Sequence, residues 1–167
     1  IATRLLVPKS RQAEAEALLK TYFGYIQYGN PQAEDQIMGP LVNERQHGRV
    51  LGYIERGKQE GARLLVGGGR PAHLPKGYYV EPTVFVDVTN DMTIAQEEIF
   101  GPVLSVIAFE DDEDAIRIAN DSIYGLSGAV WSADEARALG VARRIRTGTI
   151  NVNGGNFYAA DAPFGGY

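Results

Sequence analysis

The residues best suited to chemistry lie together at Gln96-Glu97-Glu98-Ile99-Phe100-Gly101-Pro102-Val103. Two carboxylates and an aromatic precede a Gly-Pro corner, and an apolar run from Val103 to Phe109 follows it. Proline locks its own φ and restricts the residue before it, so side chains just ahead of the corner are held in place. An ionised carboxylate there can accept two hydrogen bonds. Taken alone, the two glutamates also read as solvated charges beside a turn, and Phe100 as a core aromatic opening a strand.

Other polar groups carry weaker signals. Gln46 and Arg49 are three apart on a predicted helix and share a face, the usual pattern of surface polar residues. His47 falls on the apolar side of that helix and reads as a packed histidine; His73, between Pro71 and Pro75, reads as solvated. Gly67-Gly68-Gly69 is expected to be a turn. A dinucleotide fingerprint needs Gly-x-Gly-x-x-Gly between a strand and a helix, and Arg70-Pro71 follows here instead. The segment from Asn153 to Phe164 follows the last predicted strand, where α/β proteins place ligand loops. Its alternative reading is a surface loop with tucked aromatics.

The elements that must position these residues follow from periodicity. Residues 1–7 read as a strand ending at Pro8. Ser10 is expected to cap a helix with Ala15, Leu18, Leu19 and Tyr22 inward. Asn43 is expected to cap a second helix, with His47, Val50, Leu51 and Ile54 on one face and Gly61 near its end. Strands are expected over 62–66, 84–88 and 103–109, then a helix over 113–120 and a strand over 128–131. Ser132 with Glu135 suggests a capping box for a helix carrying Leu139, Ala142 and Ile145, and a strand over 149–153 follows. Strands separated by helices predict an α/β fold, a mostly parallel sheet with helices on both faces, and residues 1–167 as a single domain.

The totals narrow the function. At 167 residues the chain can build a core, and 44% hydrophobic with 22% charged residues describes an ordinary soluble protein. A formal charge of −5 argues against nucleic acid as a partner. No apolar stretch approaches the ~20 residues that span a membrane. No cysteine and two isolated histidines leave no disulfide framework and no metal site in prospect. The expected compartment is the cytoplasm.

The octet resembles the nicotinamide-ribose segment of the aldehyde dehydrogenase superfamily. Further ordered matches run through Gly39-Pro40-Leu41-Val42, Gly57-Lys58-Gln59-Glu60-Gly61-Ala62 and Gly77-Tyr78-Tyr79-Val80-Glu81-Pro82-Thr83, ending at Pro163-Phe164-Gly165-Gly166-Tyr167. The resemblance implies an NAD- or NADP-dependent enzyme that oxidises a small-molecule aldehyde through a cysteine thioester, as a homo-oligomer. It implies that Glu98 binds the nicotinamide ribose, that Phe100 packs against it, and that Gln46 and a basic residue, here Arg49 in place of the commoner Lys, lie near the cofactor riboses. Asn153, Tyr158 and Phe164 would line the aldehyde tunnel. Thr3-Arg4 matches the end of the family's nucleophile motif, so the cysteine is expected two positions ahead of Ile1, and the general base further upstream. The chain thus reads as a truncated catalytic-domain fragment, inactive alone, with cofactor-binding and oligomerisation portions largely absent. Two other readings are a non-catalytic assembly relative of the same fold and an unrelated α/β binding module.

Overall fold

A computed structural model describes residues 3–155, 161 and 163–167. It forms two compact units, one over Thr3–Ala108 and the other over Phe109–Tyr167.

The first unit is an α/β layer structure. Strand β1 (Arg4–Pro8) leads through a 3-10 turn (Lys9–Arg11) into helix α1 (Gln12–Gly24); helix α2 (Glu44–Gln59) precedes strands β2 (Arg63–Val66) and β3 (Thr83–Val86). A short helix α3 (Thr93–Gln96) and strand β4 (Val103–Phe109) complete it. The sheet order is β1-β4-β3-β2; β3 pairs parallel with β4, Thr83 opposite Val103, and antiparallel with β2.

Every residue of β3 is buried, as befits a strand with paired neighbours and both faces covered. The alternation of a strand splits its side chains between two layers. Val84 and Val86 join Val7 and Val106 in a cluster against which Ala15, Leu19 and Phe23 of α1 pack. Phe85 points the other way, under α2, where a Cβ on Gly57 would lie 3.3 Å from its ring. Helices therefore cover both faces. The inward stripe of α1 is Ala15, Leu19 and Phe23, while Leu18 and Tyr22, expected inside, are 50% and 65% exposed. Ser10 is not the cap of α1: it lies within the 3-10 turn, and Arg11 stands at the cap without a side-chain bond.

Helix α2 follows its sequence pattern closely. Asn43 accepts from the Gln46 backbone N–H at 2.9 Å, and His47, Val50, Ile54 and Gly57 are buried on one face. A cap of this kind stabilises a helix by roughly 1 kcal/mol.

The second unit holds helix α4 (Asp112–Asn120), strand β5 (Ser127–Val130), helix α5 (Glu135–Ala142) and strand β6 (Thr149–Val152). β5 and β6 pair parallel, Ser127 opposite Thr149, in a sheet of their own, joined by α5 as in a βαβ unit. The regular alternation after Val103 thus feeds two sheets rather than the one layer the sequence suggests. The expected capping box is corrected as well. Asp134, not Ser132, accepts from the Arg137 N–H at the start of α5, while the Ser132 hydroxyl accepts from the Asp134 N–H. Asp112 and Glu113 of α4 pair with Arg137 and Arg144, tying the two helices together. Among the described residues no helix is long and apolar enough to cross a membrane.

Candidate functional site

The loop after α3 is built to hold its backbone and present its side chains. Glu97, Glu98 and Phe100 are exposed, whereas Ile99 between them is buried and anchors the loop inward. Gly101 lets the loop close onto α2, since a Cβ there would lie 2.6 Å from a methyl of Val50. The exposed face of α2 then grips successive backbone carbonyls. Gln46 Nε2 donates to the Ile99 carbonyl at 3.0 Å and to the Phe100 carbonyl at 2.9 Å. Arg49 donates to the Glu98 carbonyl at 3.1 Å and to the Tyr53 hydroxyl at 2.8 Å, and the Tyr53 hydroxyl donates to Glu97 at 2.5 Å. Glu97, expected to be solvated, is therefore tied to α2.

Two side chains emerge from this frame uncommitted. The Glu98 carboxylate makes no hydrogen bond or ion pair among the described residues. Phe100 is 69% exposed and its φ is +57°. A residue other than glycine costs about 1–2 kcal/mol in that left-handed region. Burial of the ring does not offset this.

The structure brings together the four residues to which the sequence assigned a cofactor role, and separates their tasks. Gln46 and Arg49 turn their donors toward the loop backbone; Glu98 and Phe100 face solvent. Sequence reasoning passed over Tyr53 and Glu97. The usable signal was spacing, because Gln46, Arg49 and Tyr53 recur at i, i+3 and i+7 along one stripe of α2.

The α3 segment that launches the loop is held from α2. Glu60 accepts from the Thr93 N–H at 2.7 Å and the Thr93 hydroxyl at 2.5 Å, and pairs with Arg56 at 2.8 Å. Burial pushes the Glu60 carboxyl upward, but the Thr93 and Arg56 hydrogen bonds outweigh it and leave its pKa below the ordinary value. The histidines are placed as expected in burial. His47 is buried, its Nε2 3.1 Å from the Tyr79 carbonyl, and exposed His73 lies 5.3 Å from the Tyr28 ring. Gly67 has φ +68° and the Gly68 N–H donates to Thr83 Oγ1, with no helix following: the triple glycine is a turn.

In the second unit, Asn153 sits at the carboxyl end of β6 with φ +50°, a conformation asparagine adopts more readily than most residues. Its amide makes a reciprocal pair with Ser132, accepting from the Ser132 N–H and donating to the Ser132 carbonyl, each at 2.8 Å. Both polar ends of the side chain thus pin the end of β6 to the chain leaving β5. Phe164 is 54% exposed. Tyr158 lies outside the described residues. Among the described residues no cluster of His, Cys, Asp or Glu is arranged to hold a metal ion.

Comparison with known proteins gives this geometry a context. The Aldehyde dehydrogenase family profile matches residues 1–167. A putative aldehyde dehydrogenase of Staphylococcus saprophyticus is 46% identical over 99% of this chain, which spans 35% of that protein. A mutant of aldehyde dehydrogenase C from Pseudomonas syringae, solved in complex with NAD+ and octanal, superposes with a TM-score of 0.95 at 46% identity, over 99% of this chain and 34% of that one. A Mycobacterium tuberculosis aldehyde dehydrogenase complexed with NAD+ gives 0.92 at 50% identity, with the same coverages. The chain therefore spans about a third of the length of the relatives it matches. Match over the full chain and close likeness in structure agree, and the chain belongs to the aldehyde dehydrogenase family.

Proposed function

We infer that the whole protein carrying this chain oxidises an uncharged aldehyde to a carboxylic acid, with NAD or NADP as the hydride acceptor. The observation that carries the reading is the loop after α3: a clamped backbone that presents a carboxylate, Glu98, unpartnered among the described residues, beside an exposed ring, Phe100, held in a strained conformation. Strain of this kind, with no packing gain, is found where function requires a fixed side-chain direction.

The residues fit a nicotinamide ribose. Glu98 offers two acceptor oxygens to a vicinal diol, and Phe100 offers an apolar face that limits where the nucleotide can lie. When bound, the nicotinamide supplies a hydride acceptor. Gln46 and Arg49 act through the loop, fixing the three carbonyls from Glu98 to Phe100. The solved complexes of the Pseudomonas and Mycobacterium relatives with NAD+ support a nicotinamide cofactor. The route to the acid is through a thioester on a cysteine, a residue this chain does not contain, with hydrolysis by water.

The substrate class rests on the segment from Asn153 to Phe164, whose one charged side chain is Asp161. In the proposed tunnel, Asn153 fixes the departure of the chain from β6 and Phe164 lines an apolar wall, while Tyr158 is assigned by the family resemblance alone. Such a wall stabilises an apolar aldehyde by contact area and offers no cation to a carboxylate, which Asp161 would repel. The complex of the Pseudomonas relative with octanal supports an uncharged substrate. Specificity constants of the whole protein test the proposal. Hexanal or benzaldehyde should exceed succinic semialdehyde by about tenfold or more, the worth of one repelled or unpaired charge of roughly 1.4 kcal/mol. A preference for the semialdehyde would overturn the substrate class, and no reduction of either cofactor with any of the three would overturn the activity.

A further inference from the structure

We propose that Tyr53 and Glu97 form a latch that positions Glu98 for its diol, an assignment that rests on the cofactor reading above and extends it to two residues outside the ligand contact. Three observations converge. Tyr53 reaches across 44 positions of sequence to donate to the Glu97 carboxylate at 2.5 Å. Its hydroxyl is in turn the acceptor for Arg49 at 2.8 Å, and the Arg49 guanidinium carbon stacks 4.9 Å from the Tyr53 ring centroid. The same Arg49 nitrogen holds the Glu98 carbonyl at 3.1 Å.

The consequence is a backbone gripped on both sides of Glu98. Its own carbonyl is bound by Arg49, the carbonyls after it by Gln46, and the residue before it is bound through its side chain by Tyr53. Without the latch, residue 97 would be held only by its backbone N–H, which donates to the Thr93 carbonyl at 2.9 Å, and would become a hinge between α3 and the gripped carbonyls. The peptide bearing Glu98 could then rotate about that hinge, and the carboxylate would sample directions away from the ligand. Tyr53 also orders Arg49 by stacking and by accepting its hydrogen bond, so the two grips reinforce each other. Neither Tyr53 nor Glu97 is a catalytic residue in this account; both act through Glu98.

The test uses the whole protein with NAD(P) and hexanal. Tyr53→Phe keeps the ring beneath Arg49 and removes only the hydroxyl. It should raise the KM for the cofactor about three- to tenfold, the size expected for one solvent-exposed hydrogen bond, while kcat at saturating cofactor and the KM for hexanal stay within about twofold. Glu97→Ala should reproduce that pattern, and Glu97→Gln, which keeps an acceptor oxygen, should restore most of the loss. In a Glu98→Gln background, Tyr53→Phe should add little, because the group it positions has already been altered. Equal effects of Tyr53→Phe with and without Glu98→Gln would sink the latch alone, as would Glu97→Gln as damaging as Glu97→Ala. A Glu98→Gln variant with unchanged cofactor constants would instead remove the cofactor reading, and the latch with it.

Discussion

Phe100 carries a conformational cost that its exposed ring does not offset. At φ +57° glycine would be the comfortable residue. Phe100→Gly should therefore leave folding stability unchanged or raise it by up to about 1 kcal/mol, since relief of a roughly 1–2 kcal/mol penalty competes with the greater freedom of glycine in the unfolded chain. Catalytic efficiency with NAD(P) should fall by about tenfold or more in the same variant. Urea denaturation and steady-state kinetics, measured side by side, check both halves; a clear loss of stability would show that the ring packs for structure. The fixed loop was legible in the sequence from its Gly-Pro corner, and the ribose roles proposed for Glu98 and Phe100 were legible only through the family resemblance. Tyr53 and Glu97 were not. Their partnership is a tertiary contact across 44 residues, and nothing in local spacing says that residue 97 will return to α2.

The elements were legible where one signal dominates locally. Asn43 faces no rival acceptor and caps α2 as read, with a stripe of His47, Val50 and Ile54 behind it. Ser132 fails as a cap because Asp134, two residues on, has a carboxylate that binds the free N–H groups more strongly. In α1, Ala, Leu and Tyr occupy more than one face, and only the valine cluster of the sheet decides that Ala15, Leu19 and Phe23 turn inward. Helix α3 has four residues, too few for a period, and it depends on Glu60, the residue at the C-cap of α2. That dependence predicts a pH effect. The Glu60 carboxyl titrates lower in the folded state than its ordinary value, so its contribution is complete above about pH 4.3 and is lost as pH falls through the lowered value. Glu60→Gln should cost roughly 1 kcal/mol or less at pH 7, and the difference from wild type should shrink below about pH 4. Urea midpoints across pH 3–7 check this, and a constant difference would place the effect in packing rather than charge.

At the scale of the whole molecule, composition and the order of elements pointed to α/β, and five short blocks pointed to the family. The division into two sheets was not legible. Strand pairing depends on which edges meet, and β4, β5 and β6 carry similar apolar patterns although β4 joins β3 and the other two pair with each other. Within the first unit the parts serve one arrangement: a buried β3, helices on both faces of its sheet, and a loop whose backbone is tied to α2 so that one carboxylate stands clear. The claim that this carboxylate anchors a nicotinamide ribose is tested most directly by Glu98→Gln in the whole protein. The change keeps the size, removes the charge and replaces an acceptor oxygen with a donor. Loss of a charge-assisted hydrogen bond of roughly 1.5–3 kcal/mol should weaken cofactor binding or slow turnover by about ten- to a hundredfold, with folding stability little changed. Steady-state constants for NAD(P) and aldehyde that both stayed at wild-type values would contradict it.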